Sequence, residues 1–285
     1  MLAKRVITAV VLLAVLLPAI FLAAPWVWSA VSLAFLAAAG FEWGRLLAVP
    51  GQPSAAARRG SVLALGLTLA GAAMLALREA GAWPNGALTG AMLALTAWWL
   101  FVGVAHLRRH DARAYGGGVT AALLLLGCWV ALDELRRIGP AALISAMAVV
   151  WIADVAAYFA GRAFGRRKLA PAISPGKTWE GAAGAVAAVI LVGMLADHLG
   201  GNAARQAGWL PSVLVAGLGK AGAAVVLIGL VALSIVGDLH ESLLKRQAGV
   251  KDSGATLPGH GGVLDRIDAL IPTMPAALLL HLLAG

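Results

Sequence analysis

The sequence predicts an all-α polytopic integral membrane protein of about nine transmembrane helices with two functional cytoplasmic loops. Three observations lead there. Of its 285 residues, 61% are apolar and only 12% carry charge, whereas a soluble domain is nearer a quarter charged. Mean hydropathy is +0.89, which a water-exposed surface does not sustain. Apolar runs also recur along the chain at close to the roughly 20 residues that a helix needs to cross a bilayer. A soluble domain, a disordered chain and a disulfide scaffold are excluded together, and the alternation of a membrane β-barrel is absent.

The first run, Val6 to Ala24, follows Lys4 and Arg5. It is longer than the roughly 7–15 residues of a signal-peptide core, so it reads as a retained span. Further spans are expected near 26–40, 61–79, 86–105, 119–135, 140–161, 181–199, 211–236 and 267–284. In lipid these must be helices, because each backbone polar group has to be satisfied within the segment. Trp26, Trp28, Trp43, Trp83 and Trp209 fall near span ends, as an interfacial belt does. With a cytoplasmic N-terminus, seventeen Lys and Arg fall on the cytoplasmic side, Arg113 among them, and five on the other: Arg78, Arg136, Arg137, Arg205 and Lys220. That asymmetry sets the orientation. It also assigns the net charge of +9 to topology, so no nucleic-acid partner is expected.

Cys128 lies in an apolar run and reads as a small packing residue. His106, His110, His198 and His281 fall singly near span ends and read as interfacial. The chain divides into an N-terminal transmembrane scaffold, 1–138, with about five spans of little polar content, and a catalytic transmembrane region, 139–285. That region carries cytoplasmic loops 161–181 and 237–268, which hold six of the 13 carboxylates.

The second loop begins at the end of a long apolar helix. If the helix continues, Asp238, Glu241, Ser242 and Lys245 share one face. Carboxylates so placed suit a hard divalent cation, which completes its shell with water and phosphates. An ordinary solvated helix end is the alternative. Leu257-Pro258-Gly259-His260-Gly261-Gly262 lets backbone N–H groups approach an anion, and a plain turn would explain its glycines but not the charges on both sides. It leads into Asp265-Arg266-Ile267-Asp268, so Asp238 and Asp265 are expected to converge on one cation, with Lys245, Lys251 and Arg266 around a polyphosphate.

In the first loop, Ser174-Pro175-Gly176-Lys177-Thr178 superficially resembles the end of a P-loop. Position 171 is Pro where the upstream glycine would stand, and no strand is expected before it, so a P-loop is rejected. Two hydroxyls, an ammonium and a following helix start still suit a phosphate, and Thr178 or Ser174 also suits an N-cap. Asp154 lies inside a span, where a carboxylate marks either a site or a buried partner such as Arg162.

These runs, together with Ser242-Leu243-Leu244-Lys245-Arg246, Lys251-Asp252-Ser253-Gly254 and Leu264-Asp265-Arg266-Ile267-Asp268, resemble the signature of bacterial phosphatidate cytidylyltransferases. Ala157-Tyr158-Phe159-Ala160-Gly161-Arg162 and Ile173 to Gly181 are similar to the same family, and the likeness is specific from about 150 to 272. Ala153-Asp154-Val155 departs from the more polar run expected there. The resemblance implies transfer of CMP from CTP to phosphatidate with Mg²⁺, a second cation being left open, at the inner face of a bacterial cytoplasmic membrane. It implies catalytic roles for Asp238, Asp265, Lys245 and Asp268, with metal held by Asp238 and Asp265. Ser174, Lys177, Thr178, Ser242, Arg246, Lys251, His260 and Arg266 would bind substrate, and a homodimer is the expected assembly. A CDP-alcohol phosphotransferase would need a DGxxAR-type run, which is missing. A polyprenol kinase-like enzyme would lack the long C-terminal signature. A transporter would show repeats and more polar residues at mid-span, and no repeat is visible.

Overall fold

The computed structural model describes residues 2–83, 85–112 and 117–284; Arg113 lies outside them. The helices are α1 (Leu2–Phe21), α2 (Pro25–Leu46), α3 (Pro53–Glu79), α4 (Asn85–Trp98), α5 (Val104–Arg109), α6 (Gly117–Ile138) and α7 (Pro140–Phe164). A short hairpin follows, β1 (Lys168–Ala170) and β2 (Ser174–Thr178), and then α8 (Trp179–Gln206), α9 (Leu210–Ala248), α10 (Leu264–Ile267) and α11 (Leu270–Ala284). Prolines open α2, α3 and α7, where a missing N–H costs nothing. Gly249, at φ +72°, closes α9 in the left-handed conformation.

Among the described residues, eight helices are long and apolar enough to span a bilayer; the apolar stretch of α1, Val6–Phe21, is shorter. The polytopic α-helical class therefore stands, with eight spans where about nine are expected. Several boundaries also differ. The second helix runs on to Leu46 rather than ending near 40. The eighth and ninth are broken at Gly201 and Gly219, whose φ values of +48° and +70° no helix accommodates. Beyond the break, α9 runs from Lys220 to Ala248, roughly 43 Å of helix against ~30 Å of hydrocarbon. Its last turns, 238–248, thus reach the polar interface.

Small residues let the helices close up. A Cβ on Gly44 would stand 2.7 Å from the Arg59 carbonyl, and one on Gly181 would stand 2.9 Å from the Ala157 carbonyl, so α2–α3 and α7–α8 pack backbone to backbone. The centre is α11, buried from Leu270 to Leu279, which packs on α4, α6 and α9. Cys128 is buried in the apolar core, as a packing residue should be.

Several charged groups inside the scaffold are paired. Arg78 forms an ion pair with Glu134, and Arg137 Nε stands 2.8 Å from Asp133. Asp133 in turn accepts a 2.5 Å hydrogen bond from Ser29. The histidine expectation needs correcting at two places. His106 is buried with its Nδ1 3.2 Å from Nε2 of His240, and the two rings are stacked. Trp98 and Trp99 close on the pair edge-on, beside a π-turn at Trp99–Gly103. His281 is buried too, its Nε2 2.9 Å from the Gly208 carbonyl.

Gly237 seats α9 on the last helix: a Cβ there would overlap the Asp268 carbonyl oxygen and lie 2.7 Å from the Pro272 ring. Gly237→Ala should therefore lower the thermal midpoint in detergent by an amount equivalent to ~1–3 kcal/mol. An unchanged midpoint would mean that α9 and α11 do not touch there.

Candidate active site

A cleft of ≈500 Å³ opens between α7, the hairpin, α8 and α9. Its polar lining comes from Asp154, Tyr158 and Arg162 on α7, Ser174, Lys177 and Thr178 on β2, and Ser234 and Asp238 on α9. The hairpin, where no strand was expected, is antiparallel, pairing Lys168 with Thr178 and Ala170 with Ser174. Little in its own sequence favours strands; it is held from outside. The Glu180 carboxylate accepts hydrogen bonds from the backbone N–H groups of Arg166 and Arg167, at 3.0 and 3.2 Å. Thr178 is buried and caps α8, its hydroxyl accepting from Gly181 N–H at 3.1 Å, so the N-cap reading holds for Thr178. The strand is not the parallel strand of a P-loop.

This frame points Lys177 at α9, where its Nζ stands 2.6 Å from Asp238 Oδ2. Ser242, one turn further on, donates to Asp238 Oδ1 at 3.4 Å. Asp238 also lies within electrostatic reach of Asp154 and of Asp268, the latter brought alongside by the contact at Gly237. Arg162 donates to the Tyr158 hydroxyl at 3.2 Å. Among the described residues it forms no ion pair with Asp154, which instead lines the cleft. Asp154 and Asp268 thus lie within electrostatic reach of the Lys177–Asp238 pair where α9 leaves the hydrocarbon.

A second cluster stands one turn along α9. Lys245 Nζ lies 2.5 Å from Glu241 and 2.7 Å from Asp265 Oδ1. Asp265 is turned to the glycine-rich loop. It accepts from Ser253 N–H at 3.0 Å, from the Ser253 hydroxyl at 2.9 Å and from Gly262 N–H at 2.8 Å. Both its oxygens are therefore engaged with Lys245 and the loop, while Asp238 lies within electrostatic reach of Asp268. Among the described residues no group of three or more His, Cys, Asp and Glu side chains is drawn together as a preformed metal cage. Arg246 reaches the hairpin at the Ile173 carbonyl, 3.5 Å away. Arg266 donates to the His260 carbonyl at 2.8 Å. Lys251 is exposed on the turn after α9. Lys251, His260 and Arg266 thus belong to the loop and not to the cleft wall.

Over residues 3–284 the chain matches the model of the cytidylyltransferase family. The phosphatidate cytidylyltransferase of Pseudomonas aeruginosa is 38% identical over 289 residues, covering 98% of this chain and 97% of its own. The chain belongs to the cytidylyltransferase family. The phosphatidate cytidylyltransferase of Brucella suis is 50% identical over 135 residues, 47% of this chain and 43% of its own. That of Bacillus subtilis is 39% identical over 166 residues, 56% and 55%.

In this cytidylyltransferase the loop is held by a residue that sequence reasoning missed. Glu42, on α2, is 1% exposed. Its carboxylate accepts from Thr256 Oγ1 at 2.5 Å, from Val263 N–H at 3.1 Å and from Leu264 N–H at 2.8 Å, and it lies 3.1 Å from the Ser253 hydroxyl. Gly254 and Gly262 lack side chains where Glu42 presses against them. A lone carboxylate in an apolar helix is the signal that would have marked it.

Glu42→Ala should strand buried donors at a cost of ~1–3 kcal/mol each and free the loop. Limited trypsin digestion should then cut after Lys251 or Arg266 at least about tenfold faster, with the helices intact by circular dichroism. An unchanged cleavage rate would remove Glu42 from the loop's support.

Proposed function

We propose that the protein is a phosphatidate cytidylyltransferase, which transfers CMP from CTP to phosphatidate and releases pyrophosphate, with the reaction at the cleft of α7, β2, α8 and α9. The observation that carries this reading is the Lys177–Asp238 pair, set among further carboxylates where a membrane helix meets the interface. One substrate is soluble and the other is anchored in lipid, and such a place serves both.

A phosphate oxygen of phosphatidate attacks the α-phosphorus of CTP. A new P–O bond forms, the bond to the β-phosphoryl bridge breaks, and pyrophosphate leaves with the electron pair. The attacking phosphate is already anionic, so no general base is needed. The chain's work is positioning and neutralisation of charge. Lys177 and Arg162 supply positive charge inside the cleft, and Ser174 and Ser242 supply hydroxyls. Lys245, Arg246, Lys251 and Arg266 supply positive charge from the loop side, with Thr178 and His260 shaping the segments that carry them.

The donor set fits Mg²⁺: Asp238 and Asp268, with Asp154, offer hard oxygens to an ion that binds through one or two carboxylates and substrate phosphates. Bound there, Mg²⁺ would neutralise phosphate charge. Asp265 then acts through Lys245 and the loop. The 1–138 scaffold supports this region, the N-terminus is cytoplasmic, and the membrane is the bacterial inner membrane. The Gly- and Ala-rich helix faces allow a second copy to pack as a homodimer.

Purified protein in detergent should release pyrophosphate only with CTP, phosphatidate and Mg²⁺ together. Lys177→Met and Asp238→Asn should each lose on the order of 10²–10³ in rate. Asp238→Asn should also raise the Mg²⁺ concentration needed for half-maximal rate, whereas Asp265→Asn should not. Equal rates with all nucleoside triphosphates, or full activity in both cleft variants, would overturn the assignment.

A further inference from the structure

A second and larger hollow, ≈1270 Å³, lies between α2, α3 and α6 and shares no lining residue with the catalytic cleft. Its walls are apolar, with Leu47, Val62 and Leu126 among them, and among the described residues no acidic one lines it. It exceeds the ~300–1,000 Å³ of ordinary small-molecule sites. Arg58 and Arg59 stand exposed at one end. Arg59 donates to the Leu47 carbonyl at 2.7 Å, which fixes this end at the close of α2. There Arg45, Pro53 and Ala56 face Val250 and Asp252, so the arginines emerge on the same side of the membrane as the C-terminal loop.

Gly66 decides how the hollow should be read. Glycine inside a helix costs about 1 kcal/mol against alanine, and helix packing normally accounts for it, as at Gly44 and Gly60. Gly66 sits in α3 on the wall of the hollow, and a Cβ there would meet nothing within 4 Å. Gly66 makes no packing contact within the chain that a Cβ would disturb, and a long side chain there would project into the trough. We infer that this trough binds an anionic glycerophospholipid of the bilayer, with its phosphate at Arg58 and Arg59 and its acyl chains along α3 and α6. Two cations at the interface with no opposing carboxylate select negative charge, and the apolar walls suit hydrocarbon.

The test is native mass spectrometry of delipidated protein in detergent, titrated with phosphatidylglycerol and with phosphatidylcholine of the same chains. Phosphatidylglycerol should bind more tightly. Arg58→Gln with Arg59→Gln should weaken it roughly thirtyfold, at about 1 kcal/mol for each interfacial charge. Gly66→Leu should fill the trough and abolish binding with an unchanged assembly mass, while Gly66→Ala should retain it. Equal affinity for the two lipids, or no effect of the arginine pair, overturns the inference. So does a wild-type dimer that Gly66→Leu splits, which would give the trough to a second copy of the chain. If Gly66→Leu does not fold, the arginine pair decides alone.

Discussion

Buried in the second helix, the carboxylate of Glu42 takes hydrogen bonds from the C-terminal loop more than 200 residues along the chain. The loop has every reason to wander: Gly254, Gly259, Gly261 and Gly262 lie within nine residues, two of them at positive φ. Glu42 supplies the acceptor around which its N–H and hydroxyl groups turn inward. The Ser253 hydroxyl lies between Glu42 and Asp265, and Lys245 then joins Asp265 to Glu241. Two carboxylates share the Lys245 ammonium, and the charge of Glu42 is met by backbone and hydroxyl donors. Charge-assisted bonds of this kind are about twice as strong as neutral ones, and removing one buried partner leaves the others uncompensated. The network fixes the last turns of α9 against the start of the final helices, and so fixes where Asp268 lies relative to Asp238.

Much of this was legible from the chain alone, and the limits have a physical pattern. Long apolar runs report the helices because a bilayer demands internally satisfied backbone over a set length. The two polar loops were visible because Lys177, Asp238, Lys245 and Asp265 sit in segments whose composition breaks the apolar background. The pairing among them was not visible. Asp238 and Asp265 looked equivalent, yet one faces Lys177 and the other faces a loop, and that choice follows from the Gly237 contact and the seat of Ser253. The hairpin escaped because its strands are short and are stabilised by Glu180 and Arg167 rather than by alternation. His106 and His240 escaped because they stand 134 residues apart, and each alone resembles an interfacial residue.

Glu42 was missed for a simpler reason. Ending the second span near residue 40 placed it in a polar turn, where a glutamate needs no explanation. With α2 continuing to Leu46, the same residue lies inside the protein, where an ionisable group needs partners. The rule that singled out Asp154 would have singled out Glu42 had the boundary been drawn one turn later. Element ends decide which charges count as unusual.

The charge balance of the cleft constrains how the proposed reaction proceeds. Asp154 and Asp238 stand with Lys177 and Arg162 on the cleft wall, so its carboxylates and cations are matched before either substrate arrives. Lys177 is already engaged with Asp238, so its charge is not free to meet a phosphate. Phosphate can draw Lys177 away only if Asp238 gains another partner. In the proposed reaction, Lys177 would turn to a phosphate while Asp238 would be available to hold a divalent cation, so that each charge would find a new opposite as the old pair opens. Under the proposed function, the ion pair would act as a latch that favours joint entry of nucleotide and divalent cation over entry of either alone.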